Sequence, residues 1–141
     1  METKKMTMGL FSGSLDKLTA AGVILSGAVA HDMEVDIYVL LQGARAFKSE
    51  IGADASKLNM AENANLRAEF EASLANLKVK PWLDFFREAK EIGHVTIHIC
   101  GLAGKIWGGE KLADFVDVVD DICGIGEYIT SSQEADVHMF I

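Results

Sequence analysis

HVTIHICGLAG, residues 94–104, is a short apolar strand that runs into a cysteine and then a glycine-containing turn. Val95, Ile97 and Ile99 alternate with His94, Thr96 and His98, the period of two that sends successive side chains to opposite faces of a sheet. The same alternation puts Cys100 on the histidine side. Gly101 lets the backbone turn without steric cost, and residues 102–107 read as a short helix whose first turn lies beside the sulfur. In an open α/β sheet, ligands bind in the crevice at the carboxyl ends of the strands. Unpaired amides and the positive end of a helix there favour thiolate over thiol, which makes Cys100 a candidate nucleophile. Inert packing is the competing reading, since free cysteine is among the most buried residue types.

Working outward, 141 residues suit one domain, 1–141, large enough to bury a core without staples. Half the residues are apolar and a quarter charged, the ordinary balance of a globular protein. A net charge of −8 argues against nucleic acid or an anionic membrane as partner, because either would need a basic patch to meet it. Two cysteines 23 positions apart make neither a CxxC motif nor a disulfide framework, and no signal peptide is recognisable. A reducing cytoplasm is the expected location. Residues 18–30 form the longest uncharged run, too short to span a bilayer, and read as a buried helix.

Upstream, residues 4–11 (KKMTMGLF) read as a strand, and Ser12-Gly13-Ser14 as a turn and helix cap. That turn is a poor phosphate loop, being neither GxxxxGKS nor GxGxxG. Leu15, Leu18, Gly22, Leu25 and Val29 recur at three and four residues and mark a helical face, with Val23 and Ile24 apolar on another side. A helix so rich in Gly, Ala and Ser permits close approach, either to its own sheet and neighbours or to another subunit. Residues 35–41 give a second strand, nearly continuous in hydrophobicity as a doubly covered parallel strand requires. Residues 42–49 continue as a short helix. Residues 52–65 lose all periodicity, which suggests either a lid over Cys100 or a plain surface excursion.

Leu66, Phe70, Leu74 and Leu77 then form a helical stripe, and Pro81 opens a second helix in which Trp82, Phe85, Phe86, Ala89 and Ile92 read as core, closed by Gly93. Beyond the Cys100 turn, residues 115–119 (FVDVV) read as a fourth strand. Asp120 and Asp121 offer an N-cap to a helix that would hold Cys123 in its first turn, and residues 136–141 form a last strand. Five strands with intervening helices imply a three-layer α/β/α domain on a mostly parallel sheet.

For chemistry, Cys100 is the better thiol, because Lys105 is near in sequence and no carboxylate adjoins it, whereas Asp120 and Asp121 oppose a thiolate at Cys123. His98 is expected to tune Cys100 through hydrogen bonding. His94 and His98 lie ~13 Å apart along an extended strand, too far to share one ion without a bulge, so no metal is expected. No Ser-His-Asp triad or paired-carboxylate motif stands out.

KKMTMGLFSGS followed by LDKL, AAGVILSGAVAHDMEVDIYVLL, HICGLAGKIWG and GIGEYITSSQEADVHMFI together resemble the DsrE/DsrF-like family, in particular its peroxiredoxin-named single-domain branch. The resemblance covers nearly the whole chain and is loosest over residues 52–80. It implies an α/β homo-oligomer that acts as a sulfur carrier or sulfurtransferase, without a cofactor, holding sulfane sulfur on Cys100 between donor and acceptor partners. Backbone amides at Gly101, Leu102 and Ala103, with Lys105, would steady charge on that sulfur. Relatives often carry a second cysteine in this loop, where the present chain has Gly104 and Lys105, and usually have glycine at the place of Cys123. The competing class is a non-catalytic oligomeric binding or scaffold protein in which Cys100 merely packs.

Overall fold

The computed structural model describes residues 2–141. The chain runs β1 (Lys5–Leu10), α1 (Leu15–Ala30), β2 (Glu34–Val39), α2 (Leu41–Ala46), α3 (Ser49–Gly52), α4 (Arg67–Asn76), α5 (Trp82–Ile92), β3 (Val95–Cys100), α6 (Gly101–Ile106), β4 (Asp121–Cys123), α7 (Ile125–Glu134) and β5 (Val137–Phe140). Short 3-10 turns at Ala55–Lys57, Ala64–Leu66 and Leu112–Asp114 interrupt the connections. The strands form one five-stranded sheet in the order β4-β3-β2-β1-β5, and all four pairings are parallel. No helix among the described residues is long and apolar enough to cross a membrane.

Register sorts the sheet into two unlike faces. Met6, Val35 and Val95 are neighbours across three strands, as are Leu10, Val39, Ile99 and Ile122, and these rows lie on the face packed by α1 and α5. Close packing of those two helices rests on Gly22, where a Cβ would stand 2.6 Å from the Cβ of Phe85. Phe47, Trp82 and Phe86 meet edge to face with centroids 5.2 to 5.7 Å apart, and each is nearly or fully buried. Burying such a ring contributes roughly 2–3 kcal/mol against exposure. The alternate rows, Thr7 with Asp36 and Thr96, and Gly9 with Tyr38, His98 and Asp121, face the other way. That face is covered by α7, whose Ser131 hydroxyl is 2.7 Å from Thr7 Oγ1 and whose Tyr128 ring lies 5.4 Å from Tyr38.

Chain direction explains the asymmetry. From β1 to β4 the chain steps steadily toward one edge, but β5 returns to the far side of β1. Parallel crossovers are right-handed almost without exception, so reversing the direction of travel puts the last crossover helix on the opposite face. One helix of ten residues therefore covers the face opposite α1 and α5.

Several sequence expectations need correction. The fourth strand is not residues 115–119 but Asp121–Cys123. Phe115, Val116, Val118 and Val119 are buried as an apolar run should be, yet they fill the connection beside Phe47 and α3, where the Val116 amide donates to the Phe47 carbonyl. Asp120 caps no helix. Its carboxylate accepts the Ile97 amide at 2.8 Å and meets Lys90 Nζ at 2.5 Å, its own amide donates to the Ile97 carbonyl at 2.8 Å, and β4 begins at the next residue. Cys123 is accordingly the last residue of a strand, and Gly124 is the N-cap of α7.

The stripe on α4 buries no residue fully, and Leu77 is 72% exposed; Phe70 alone of its apolar positions is packed against the core as a partly buried side chain. Ile92, at the end of α5, is 77% exposed and not core. Residues 52–65 lie along the start of α1, where the Leu15 amide donates to the Asn59 carbonyl and the Ala61 amide to Asp16. Arg67 ties the segment down through the Ala55 and Leu58 carbonyls.

Candidate functional site

Cys100 and Cys123 end adjacent strands and are register partners. After Cys100 the chain turns into α6, which packs toward the α1 and α5 side: a Cβ on Gly104 would lie 3.2 Å from Phe115 and 3.5 Å from Ile99. After Cys123 it turns into α7, on the other side. The two connections leave neighbouring strands toward opposite faces, the topological switch point at which open α/β sheets bind ligands. A cavity of about 440 Å³ opens there. Both cysteines line it, with Phe11, Leu40, Leu41, Leu102 and Ile125 supplying an almost wholly apolar wall. None of residues 52–65 takes part, so the segment is not a lid over this cavity.

Each expected site residue has a definite place. Cys100 is half-buried at the N-cap of α6, with extended backbone (φ −64°, ψ 125°), and its side chain makes no capping hydrogen bond. Gly101 stands over the β4 end, where a Cβ would come 3.6 Å from the Cys123 carbonyl oxygen. Leu102 is exposed at the cavity mouth and Ala103 is buried. Lys105 is exposed on α6 and is not part of the cavity wall. Cys123 is half-buried, and its thiol is pushed up to about 12, first by burial, then by the Glu127 carboxylate and the charge of Asp121. At neutral pH Cys123 therefore keeps its proton.

His98 does not turn toward Cys100. Its ring stacks on Tyr38 at 4.6 Å, its Nδ1 is 2.6 Å from Asp121 Oδ1, and its Nε2 is 4.0 Å from Asp36 Oδ1. Asp36 foremost, and then Asp121, raise the imidazole above the ordinary histidine range against the opposing cost of burial. A carboxylate faces each ring nitrogen, an arrangement that favours the charged imidazole. His98, Asp121 and Cys123 bring their donor atoms within 4.8 Å of one another, so these are the residues that could hold a metal, one ligand short of a closed tetrahedral set. His94 lies just before β3 and is no part of that group.

Sequence reasoning missed the hub beside the thiols. Asp36 accepts hydrogen bonds from Thr96 at 2.7 Å and Ser131 at 2.9 Å, and pairs with Lys5 at 3.0 Å. His98 first, then Thr96, Lys5 and Ser131, hold its carboxyl well below the usual carboxylate range despite burial. Burial opposes the Lys5 charge, but Asp36 more than offsets it and the ammonium is raised. The available signal was a single aspartate inside the apolar DIYVLL strand, with Thr7 equally out of place in KMTMGL.

The backbone at the cavity mouth is strained. Leu41 has φ +20°, a value that L residues seldom adopt, and its carbonyl accepts the Trp107 indole N–H at 2.8 Å. Trp107 follows α6, so that bond ties the β2 end of the cavity to the β3 end.

No family model matches the chain. The uncharacterized protein YrkE of Bacillus subtilis (strain 168) is 28% identical over 162 residues, an alignment that covers 99% of this chain and 98% of YrkE. The ychN protein of E. coli shares the fold at a TM-score of 0.59 and 12% identity, covering 100% of both chains. MTH1491 of Methanobacterium thermoautotrophicum, a protein of unknown function, matches at a TM-score of 0.58 and 8% identity over 98% of this chain and 99% of its own. The chain is thus similar to YrkE from end to end, and it has the five-stranded parallel α/β fold of ychN and MTH1491.

Proposed function

We propose that this protein is a sulfur carrier of the DsrE/DsrF-like kind, in which Cys100 accepts a sulfane sulfur and passes it to an acceptor. The observation that carries the reading is the placement of Cys100: half-buried, at the switch point of the sheet, packed against the rim of the core and lining an apolar cavity. Sulfane sulfur is soft and polarizable, and an apolar wall of Leu40, Leu41, Leu102 and Ile125 suits it better than a wet polar pocket. The thiolate is the attacking species. Cys123, holding its proton, is not the first acceptor. Amides in the first turn of α6 follow Cys100 directly and would face charge on the added sulfur, whereas Lys105 would have to swing inward to do so.

The test is intact-mass spectrometry after exposure to a polysulfide or thiosulfate-type donor. The wild-type chain should gain one sulfur, Cys100→Ser should gain none, and Cys123→Ser should still load. Loading that survives Cys100→Ser moves the site and sinks the assignment.

A homo-oligomer is also proposed, with the cavity rim as the contact. Leu102 and Ile125 line it and are at least half exposed, as are Ile106 and Ile129 four residues further along α6 and α7, whereas the small residues expected to serve a subunit contact are engaged in part by α5. Light scattering that finds a monomer at micromolar concentration removes this part of the reading.

A further inference from the structure

The sulfur-carrier reading gives Cys123 no task, yet the fold puts it where a task is available. In adjacent parallel strands, register partners stand about 4.8 Å apart, inside the ~4.4–6.8 Å between Cα atoms that a disulfide accepts. Cys100 and Cys123 are such partners, on the same face and at the same end. Both line one cavity, and neither is sealed in the core. β4 is three residues long and is followed by Gly124, so its end is the part of the sheet best able to make the small approach a sulfur–sulfur bond needs.

We propose that Cys123 is the resolving thiol for a sulfur-loaded Cys100, so that the two cysteines form one redox couple which expels the sulfane sulfur as hydrosulfide and closes a Cys100–Cys123 disulfide. The proposal rests on the carrier reading for its first step. There the Cys100 thiolate displaces the donor's leaving group and becomes a persulfide. In the second step the Cys123 thiol loses its proton to water and the freed sulfur attacks Cys100 Sγ, its register partner on the adjacent strand. The bond between Cys100 Sγ and the outer sulfur breaks, and its electron pair leaves with that sulfur as hydrosulfide. The sulfane sulfur is reduced by two electrons and the two cysteine sulfurs are oxidised by one each. An external dithiol reductant restores the pair.

The test loads the full-length protein with inorganic polysulfide, desalts it, and follows hydrosulfide release and intact mass with time. The wild type should lose its adduct, release up to one hydrosulfide per chain, and yield a Cys100–Cys123 linked peptide that dithiothreitol reverses. In Cys123→Ser the adduct should persist about tenfold longer or more, with no hydrosulfide released, as expected when the resolving thiol of an exchange is removed. A Cys123→Ser adduct that decays as fast as the wild type's overturns the proposal and leaves the carrier reading standing. So does a failure of diamide, a thiol oxidant that needs no loading, to give the linked peptide. A wild-type chain that never loads overturns the carrier reading and the release step together.

Discussion

The two faces of the sheet are built on opposite terms. One is a continuous apolar layer, Met6, Met8, Leu10, Val35, Ile37, Val39, Ile97 and Ile99, sealed under α1 and α5 and buried almost to the last atom. The other carries Lys5, Thr7, Asp36, Thr96, His98 and the two cysteines under one short helix. Apolar burial is non-directional and supplies most of the folding free energy, whereas a polar network must match donor to acceptor and returns little net stability for the effort. The division lets one face secure the fold while the other holds polar and titratable groups at fixed positions.

The comparison can be broken first on the apolar side. Phe86→Ala, which empties a fully buried site between Phe47 and Trp82, should cost about 3–5 kcal/mol in urea or thermal unfolding. The native fraction should still load Cys100, because none of Phe47, Trp82 and Phe86 lines the cavity and the Asp36 hub lies on the other face. A loss below about 1 kcal/mol would mean that this cluster is not the foundation the burial suggests.

A smaller effect sharpens the polar side. Asp36 is depressed, so the stability it contributes is present above its ordinary 3.8 and is lost as pH falls through the lower folded value. His98 is raised, so its contribution is complete below 6.5 and is lost as pH rises through its folded value. Stability should therefore decline on the acid side below pH 3.8 and again on the alkaline side above 6.5, with a maximum between. Asp36→Ala should cost about 2–4 kcal/mol at neutral pH by stranding Lys5 and His98. It should also flatten both limbs. Denaturant midpoints measured across pH for both chains check this, and an unchanged profile in Asp36→Ala would show that the titration lies elsewhere.

The same division decided what the sequence could reveal. Period-two alternation in β3 and the spacing of three and four in α1 are properties of single elements, so the strand before Cys100 and the buried face through Leu18, Gly22 and Leu25 were legible. The five-stranded α/β architecture followed from their order. What failed depended on partners distant in the chain. FVDVV is as apolar as a strand, but Phe47 and α3, some 65 residues earlier, take up its side chains, and the strand itself begins only at Asp121. Moving β4 by those few residues changed Cys123 from a helical position to the register partner of Cys100. Asp36 was invisible as a hub because its partners come from β1, β3 and α7, which only the topology assembles. The nearness of Lys105 in sequence did not become nearness at the cavity, since α6 turns that side chain outward.

Asp120 also shapes one edge of the sheet. A sheet edge is a template for foreign strands as long as its amides are free and its length is sufficient. On the β3 side, the Ile97 amide is already occupied by a carboxylate that Lys90 holds in place, and the β4 edge beyond offers three residues beginning with the charged Asp121. An incoming strand finds neither the run of amides nor the flat, uncharged rim it needs. The switch point thus stays open while the edge beside it resists strand-by-strand pairing.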